Sequence, residues 1–367
     1  MINNKIFNVD KSDKEYQNSS LILGVEPGLF DTINKKYPKI WNLYKEMKSL
    51  DWSEDEFSHA QCNLDFKTCP TEVSDMMIRT LAWQWEADSI ASRSIITVLA
   101  PFITSSELWA AWQRISDNEV VHAATYSEIV RMSFDDPHKV LDNILSVKES
   151  LSRLDVVGQV FGDSHKLAHR YAIGDIENDQ ELYNQVYLTI ATLLMLERIQ
   201  FMASFAITFT ICGSGLFQSI GKAVQKIAQD ELEVHSELDK EVIRTERKTI
   251  RGKIAHDVMA DKIKEIFEAI VNSECEWVDY LFSEGRSLVG TNSDIIKSWV
   301  LYNAKNVSDF LGIKTDIKMP KINPMPSMEK WLNMNKTQAA PQEQTVAAYK
   351  VGVAVRDDDN ETFDVDF

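Results

Sequence analysis

The segment Asp230–His235, DELEVH, places one histidine near three acids and indicates how the chain folds. In a helix with about 100° per residue, Glu231 lies about 40° from His235, Asp230 about 140° away and Glu233 about 200° away. Glu231 and His235 therefore share one helix face. That face also carries three apolar residues: Val224, Ile227 and Leu238. An acid–histidine pair on a core-facing stripe predicts a buried polar site inside a helical bundle.

The same signal recurs on three other helical stripes. Asp88 lies on the first, Glu119 and His122 lie on the second, and Glu197 lies on the third. A buried carboxylate is destabilising by several kcal/mol unless it is paired or metal-bound, and a salt bridge is the ordinary explanation of a single one. Two single acids plus two acid–histidine pairs, from four helices, are instead the ligand set of a dinuclear carboxylate site. Ligands without thiolate favour iron or manganese over structural zinc.

Proline placement indicates the fold class. No proline falls between His138 and Met319, and this stretch is rich in helix-forming residues. We find no convincing alternating segments, so the predicted fold is all-α. Residues 1–316 form the predicted domain, whose first ~20 residues we expect to be irregular. Residues 317–367 are too polar for a packed core and are predicted to be a mobile tail. The predicted long helices span about 71–99, 104–131, 138–171, 181–212, 215–246, 255–284 and 291–311.

Composition excludes several functions. The net charge is −17 and the isoelectric point is about 4.9, which argues against a nucleic-acid surface or an anionic membrane surface. No apolar run reaches the length of a membrane span, and the N-terminus has no apolar core of a signal peptide. Four cysteines without CxxC spacing fit idle thiols in a reducing cytoplasm, which is the host cytoplasm if the chain is viral. His165 and His169 are predicted to be a surface pair.

The residues of these stripes resemble the small, radical-generating subunit of class I ribonucleotide reductase, of the bacterial or phage aerobic type. The motifs are Asp88, then EVVHAATY at Glu119–Tyr126, then Glu197 followed by Phe201 and Phe205, then IAQDE ending at Glu231. The resemblance covers nearly the whole chain and implies a ferritin-like helical bundle with additional helices. The metal ligands that it implies are Asp88, Glu119, His122, Glu197, Glu231 and His235.

The resemblance also implies roles around the metal ions. Tyr126 would hold a stable tyrosyl radical in an apolar pocket of Phe201, Phe205 and Ile227. Trp52 would connect through Asp230 to His122. The metal pair would be iron, oxo-bridged when oxidised, and it would activate O2; manganese is the alternative that the same ligands accept. In the tail, Tyr349 and Glu343 would take part in transfer to the large subunit, and the acidic end finishing at Phe367 would dock there.

The implied function is the β subunit of ribonucleoside-diphosphate reductase, which forms a homodimer and is active only with the large catalytic subunit. A stand-alone ferritin-like di-iron oxidase or oxygenase and a metal-storage bundle are the alternatives. One departure concerns the second pair, because Val234 stands where the family has its histidine and His235 comes one residue late. We therefore predict a one-residue helical expansion, such as a π-bulge, between Glu231 and His235.

Overall fold

The computed structural model describes residues 20–25 and 29–332, and within these ranges the chain folds into helices without a β-strand. The all-α prediction is confirmed. Two π-helices, Leu196–Gln200 and Asp230–His235, interrupt the sequence of α-helices. The α-helices are α1 Pro38–Ser49, α2 Ala60–Thr68, α3 Thr71–Leu99, α4 Ser106–Ser133, α5 Pro137–Leu145, α6 Lys148–Ser152, α7 Asp155–Ala172, α8 Gln180–Met195, α9 Met202–Gly213, α10 Gln218–Gln229, α11 Ser236–Glu246, α12 Ile250–Val258, α13 Ala260–Leu281, α14 Ser293–Leu311 and α15 Glu329–Leu332.

Local sequence explains where the central helices begin. The Ser105 side chain accepts a hydrogen bond from the Leu108 backbone N–H and caps α4, and Asp179 caps α8 through Leu182. Asn292 caps α14 in the same way through Ile295. These side chains satisfy backbone donors that the first turn of a helix leaves free. Helix α14 ends at Gly312, whose φ of 74° suits a residue without a Cβ atom.

The core lies between four helical segments. Helix α3 packs against α4 and α9, and α8 packs against α11. The two π-helices contact each other, so the two irregular segments meet inside the bundle. The segment from α8 to α9 is almost wholly buried, because it has neighbours on every side. This arrangement brings the polar positions of four helical segments to one place.

Several predicted helices are broken in the structure. The span 138–171 is divided among α5, α6 and α7, and the span 255–284 is divided between α12 and α13. Helices α1 and α2 are additional. The break between α6 and α7 has a physical reason, because Arg153 lies there with its side chain buried. Its backbone carbonyl accepts a hydrogen bond from Gln200 Nε2 at 2.7 Å. In a continuing helix, this carbonyl would instead accept a hydrogen bond from a backbone N–H of the same helix.

The expectation that no apolar run is long enough to span a membrane is wrong for one helical run. The helical run Gln180–Gly213 is long and apolar enough to cross a membrane by length and composition. However, 94% of the most apolar 18-residue stretch of this run is buried inside the protein. A helix at the centre of a bundle is apolar on all sides for the same reason as a spanning helix, so this run is a core helix.

The first part of the predicted tail lies against the bundle. Met325 and Met328 are buried, and the Trp331 ring stacks on Phe209 of α9 at 4.9 Å and 7°. Gln225 of α10 donates a hydrogen bond to the Trp331 carbonyl at 2.8 Å. The packed chain therefore extends past the predicted boundary at residue 316, to Leu332. A mobile tail stays a prediction for residues 333–367, which are outside the described residues.

Candidate metal centre

Six ionisable side chains converge at the centre of the bundle, and each is at most 2% exposed. Helix α3 supplies one, α4 supplies two, the first π-helix supplies one and the second π-helix supplies two. Asp88, Glu119 and His122 offer ligand atoms within 4.8 Å of one another, and so do Glu119, Glu231 and His235. Glu119 belongs to both groups, so it would be available to either ion of a metal pair. Five of the six predicted ligands fall in these two groups, whereas Glu197 falls in neither and is connected to them only through its electrostatic interaction with Asp239, Glu231 and Glu119.

Both histidines turn the same ring nitrogen toward the acids. His122 Nδ1 lies 3.2 Å from Glu231 Oε1, 3.5 Å from Glu119 Oε2 and 3.9 Å from Asp88 Oδ2. His235 Nδ1 lies 3.5 Å from Glu119 Oε1 and 3.6 Å from Glu231 Oε2. The two rings are roughly parallel, with centroids 5.9 Å apart. The two imidazoles therefore face one shared set of carboxylates.

The buried atoms of this cluster lack the partners that buried polar groups normally have. Among the described residues, both carboxylate oxygens of Asp88, Glu197 and Glu231 are buried without a hydrogen bond, as are Nδ1 of His122 and of His235. Unpaired carboxylates in a dry interior are strongly unfavourable, and cations relieve this. The donor set, oxygen and imidazole nitrogen without thiolate, suits iron or manganese. The residues present therefore fit a pair of such ions.

The predicted helical expansion at the second pair is confirmed. Residues Asp230–His235 form a π-helix, and the Ser236 backbone N–H donates to the Glu231 carbonyl five residues earlier. This wide turn accommodates the extra residue, so His235 faces the acids although it comes one position late. Glu233 is half-buried and accepts a hydrogen bond from Gln229 at 3.3 Å, away from the cluster. The first π-helix, which carries Glu197, was not predicted.

The outer nitrogens of the two histidines have different partners. His122 Nε2 lies 3.1 Å from Asp230 Oδ2, and the same oxygen accepts a hydrogen bond from Trp52 Nε1 at 2.8 Å. The Trp52 and His122 rings are stacked, with centroids 5.9 Å apart. His235 Nε2 lies 3.4 Å from the Asn118 amide. A carboxylate thus orients one imidazole, and a neutral amide lies against the other.

Burial and mutual repulsion shift the pKa values of the acids. Burial, followed by Glu119, raises the pKa of Asp88 well above its usual value. Burial also raises the pKa of Glu197, with added repulsion from Asp239, Glu231 and Glu119. For Glu119, burial acts upward, but the close imidazoles outweigh it and lower the pKa to about 2. Without metal ions, the cluster therefore holds protons on some of its acids.

The pKa values of the two histidines are raised, although burial alone would lower them. Burial lowers the pKa of His122, but Asp230, Glu119 and Glu231 outweigh it and raise the pKa well above its usual value. At His235, burial also lowers the pKa, but Glu231 and Glu119 outweigh burial, and the pKa rises to about 9. Both imidazoles therefore carry a proton at neutral pH when no metal ion is bound. Metal binding at Nδ1 must displace that proton.

Tyr126 lies beside the cluster and is fully buried. Its hydroxyl donates a hydrogen bond to Gln84 Oε1 at 3.2 Å. Burial, with repulsion from Asp88, Glu231 and Glu119, raises the pKa of Tyr126 well above its usual value, so the phenol is neutral. Phe201, Phe205 and Ile227 are also buried, and the two phenylalanine rings stack at 5.5 Å. That they form a pocket around Tyr126 stays a prediction.

Some site residues were missed by sequence reasoning. Gln84 lies one helical turn before Asp88, and Asp239 lies one turn after His235, so each was visible as a polar residue on an apolar stripe. Asp239 accepts a hydrogen bond from Trp112 Nε1 at 3.4 Å, and burial raises its pKa to about 7. Asn118, next to Glu119 in the sequence, had no distinguishing pattern. Tyr349, Glu343 and Phe367 are outside the described residues.

Two predictions about residues away from the site are confirmed. His165 and His169 form an exposed pair, with their Nε2 atoms 2.9 Å apart. The four cysteines, all within the described residues, are free thiols, two of them buried and two half-buried. Neither group adds ligands to the cluster of six.

A helical bundle whose segments present four acids and two histidines to one dry interior defines the class of ferritin-like dinuclear carboxylate proteins. A family profile described as "Ribonucleotide reductase, small chain" matches residues 29–324, most of the chain. The chain belongs to the ribonucleotide reductase small-chain family.

Curated relatives and solved structures agree with this assignment. The chain is 26% identical over 332 residues to "Ribonucleoside-diphosphate reductase 1 subunit beta" of Salmonella typhimurium, covering 87% of this chain and 88% of that protein. It is 25% identical over 382 residues to "Ribonucleoside-diphosphate reductase subunit beta" of Enterobacteria phage T4, covering 97% of each. The chain is thus similar to subunits of an oxidoreductase along almost its full length.

Similarity in structure extends to more distant sequences. The ribonucleotide reductase R2 subunit from Clostridium botulinum superposes with a TM-score of 0.74 at 18% identity, covering 86% of this chain and 94% of that one. The dimanganese(II)-NrdF structure from Streptococcus sanguinis gives a TM-score of 0.63 at 12% identity, covering 82% and 98%. These likenesses confirm the predicted ferritin-like fold.

Proposed function

We propose that this chain is the radical-generating subunit of a ribonucleoside-diphosphate reductase, in which a metal pair and O2 oxidise Tyr126. The observation that carries the proposal is the juxtaposition of the six-residue cluster with a buried tyrosine and a tryptophan connected to His122. The ligands would be Asp88, Glu119, His122, Glu197, Glu231 and His235. When bound, the metal ions supply oxidising equivalents by activating O2.

The side chains around Tyr126 suit a long-lived radical. The phenol is fully buried, so water cannot reach it, and its raised pKa keeps the proton on the oxygen before oxidation. Gln84 Oε1 accepts the phenolic hydrogen bond and holds the hydroxyl in one orientation. An amide is not a base, so it leaves the resting phenol intact. Oxidation would remove one electron, for which bound metal ions would be the acceptor, and this proton, for which the neighbouring carboxylates would be the acceptor, and would leave a neutral radical in a dry interior.

Trp52, Asp230 and His122 form the proposed exit for the oxidising equivalent. The indole N–H donates to Asp230 Oδ2, and that oxygen lies within hydrogen-bond distance of His122 Nε2. When the indole loses an electron, Asp230 can take the N–H proton over this 2.8 Å contact. The proton and the electron then separate without bulk water. Trp52 is 8% exposed, which places it between the site and the surface.

The remaining steps rest on the resemblance to the family. The oxidising equivalent would pass reversibly through Tyr349, with Glu343 nearby, to a large catalytic subunit. The acidic end at Phe367 would dock the two chains, and the small subunit would be a homodimer working in the cytoplasm. Iron is the proposed metal. Manganese is the second candidate, because the same donor set accepts it and a similar fold carries two manganese ions in S. sanguinis.

One observation bears on the rival of a stand-alone oxidase, which needs a substrate cavity. A groove of about 740 Å³ lies between α3 and α7, and Ala87 and Leu196 in its wall directly precede Asp88 and Glu197. Its lining is mostly apolar and includes the two glycines of α7, Gly158 and Gly162. Turnover of an apolar substrate by the metal-loaded chain alone would favour this rival.

The decisive experiment is a radical measurement followed by an activity measurement. The chain loaded with ferrous iron and O2 should give a tyrosyl radical signal by electron paramagnetic resonance, and the Tyr126→Phe variant should lose it while retaining its metal. Nucleotide reduction should appear only with the large subunit and vanish in Tyr349→Phe. A metal-loaded chain without a tyrosyl radical would contradict the proposal, as would full activity of Tyr349→Phe.

A further inference from the structure

A buried arginine lies against two tryptophan rings behind the proposed radical site. The guanidinium carbon of Arg153 is 3.6 Å from the centroid of the Trp83 ring and 4.5 Å from that of the Trp277 ring. Arg153 is 2% exposed, Trp83 is fully buried and Trp277 is 2% exposed. A guanidinium at these distances from a ring face forms a cation–π contact, and desolvation strengthens it.

The charge of Arg153 is held in place by polar partners on two other segments. Its Nη2 donates to the Gln200 carbonyl at 2.6 Å and pairs with Glu274 of α13. Glu274 also accepts a hydrogen bond from the Ala203 backbone N–H at 3.0 Å. Burial lowers the pKa of Arg153 only to about 10, so the group stays cationic at neutral pH.

The two tryptophans belong to a line of rings that begins next to Gln84 and Phe201 and ends at Tyr280. Trp83 precedes Gln84, the partner of Tyr126, and its ring centroid is 6.3 Å from that of Phe201. Trp277, on the other side of Arg153, stacks on the half-buried Tyr280 at 5.3 Å. Two further guanidinium groups, from Arg79 and Arg286, lie 5.0 Å and 5.3 Å from the Tyr280 ring. Each oxidisable ring on this line therefore has a guanidinium beside it; Arg153 is paired with Glu274, and Arg79 and Arg286 are paired with Asp75.

Trp52 differs in the partner of its indole N–H. This N–H donates to the Asp230 carboxylate, which can take up the proton of an oxidised indole. Among the described residues the Trp83 N–H has no hydrogen-bond partner, and the Trp277 N–H donates to the neutral hydroxyl of Ser204 at 3.3 Å. A fixed positive charge within 4–5 Å of a ring disfavours a radical cation on that ring, most strongly in a dry interior. An adjacent carboxylate favours it.

We infer, resting on the proposed function, that Arg153 prevents oxidation of the Trp83–Trp277–Tyr280 line and thereby directs oxidising equivalents to Trp52. The suppressed step is the loss of one electron from the Trp83 indole, for which bound metal ions in an oxidised state would be the acceptor. The indole would become a radical cation that keeps its N–H proton. Dissolved O2 would then add to the ring, excess Fe²⁺ in the loading mixture would return one electron, and the product would be N-formylkynurenine, which is the indole plus both atoms of one O2 molecule. Arg153 acts in this scheme through its charge alone and takes up neither the electron nor a proton.

The test maps oxygenated tryptophan by mass spectrometry after repeated loading of the full chain with ferrous iron and O2. In the natural sequence, oxygenation should be low at Trp83 and Trp277 relative to Trp52. The double variant Arg153→Met/Glu274→Gln removes the cation without leaving a buried anion. Oxygenation of Trp83 and Trp277 should rise roughly ten-fold in this variant, because the guanidinium 3.6 Å from the Trp83 ring is lost together with its counter-ion. The tyrosyl radical yield should fall in parallel.

Two controls separate the electrostatic role from packing. Arg153→Lys keeps a cation but changes the contacts, and Glu274→Gln alone keeps Arg153; neither should increase oxygenation of Trp83. Unchanged oxygenation at both tryptophans in a folded double variant that still forms the tyrosyl radical would overturn the inference alone. Trp83 as the main oxygenated tryptophan of the natural sequence would also overturn it, whether or not the variant folds. Absence of the tyrosyl radical in the natural sequence would instead contradict the proposed function and the inference with it.

Discussion

The two halves of the candidate metal centre are built differently. The His122 half (Asp88, Glu119 and His122) lies on regular helices α3 and α4, and a carboxylate lies against the outer nitrogen of its histidine. The His235 half (Glu197, Glu231 and His235) lies on two π-helices, and the outer nitrogen of its histidine lies 3.4 Å from the neutral Asn118 amide. In a regular helix, packing fixes the direction of each side chain. In a π-helix, the wider turn changes the direction of the side chains that it carries. The His122 half is therefore expected to be the more strongly preorganised of the two.

The largest expected effect comes from deleting one residue in each half. Deletion of Glu233 should convert the second π-helix to an α-helix with Glu231 and the histidine three apart, leaving the later core residues in place. Deletion of the exposed Val120 from regular helix α4 is the matched control. It should rotate everything after it by about 100° and abolish cooperative unfolding. Circular dichroism during heating would measure both.

Equal destabilisation by the two deletions would break the comparison. It would mean that the π-helix is needed for packing rather than being an inserted residue that the helix accommodates.

The next effect concerns the outer partners of the histidines. Asp230→Asn should weaken metal binding at the His122 half by roughly 10- to 100-fold, because a carboxylate behind a ligating imidazole orients it and increases its basicity. Asn118→Leu should weaken binding at the His235 half by less than about ten-fold, because only a neutral contact is lost. Chelator competition with Mn²⁺ gives both affinities.

Trp52→Phe is the control for that pair of substitutions, because it removes the indole but keeps the contact between Asp230 and His122. Its metal affinity should match that of the natural sequence. A larger loss in Asn118→Leu than in Asp230→Asn would reverse the proposed order of the two halves.

A third test uses pH without mutation. In the metal-free protein, the raised pKa values of His235 (about 9) and His122 add stability that is fully present below the unfolded pKa of histidine, and the buried acids Asp88 and Glu197 cost stability as the pH rises and they ionise. The histidine contribution is lost as the pH rises from about 6.5 to about 9. The melting temperature of metal-free protein should therefore fall over this range. A bound metal ion removes the histidine contribution, so loaded protein with no such fall would agree with the assignment.

The smallest effect should come from Gln84→Leu in α3. This substitution removes the acceptor of the Tyr126 hydroxyl and the hydrogen bond from Gln84 to the Thr80 carbonyl, at about 1 kcal/mol of unfolding free energy. Chemical denaturation measures the stability, and the g-values of the tyrosyl radical report the lost hydrogen bond. Unchanged g-values would mean that Gln84 does not contact the radical state.

Much of the His122 half could be predicted from the sequence alone. Helical periodicity is reliable over long regular segments, so Asp88, Glu119 and His122 were placed on core-facing stripes that the structure brings together. The His235 half needed one further step. The extra residue before His235 was visible only against a family pattern, because a period of 3.6 already puts Glu231 and His235 on one face.

Other features left no periodic signal. The first π-helix was missed because Glu197 lies in a largely apolar run, where most helix faces look like core. The break at Arg153 was missed because an arginine in a polar segment normally points to solvent, and only the tertiary structure supplies Glu274 and the two indoles. Asn118 depends on which helix packs opposite, which local sequence does not encode.

The π-helices also bear on how such a chain can change over time. A single inserted codon in a regular helix turns all later residues away from their neighbours and is normally lost. At Asp230–His235 the extra residue is confined to one wide turn, and Leu238 and Val242 beyond it stay buried. The distance in sequence between two ligands can therefore drift by one while the core is inherited unchanged. A search that insists on one fixed spacing between the acid and the histidine would overlook members of this fold that contain the complete site.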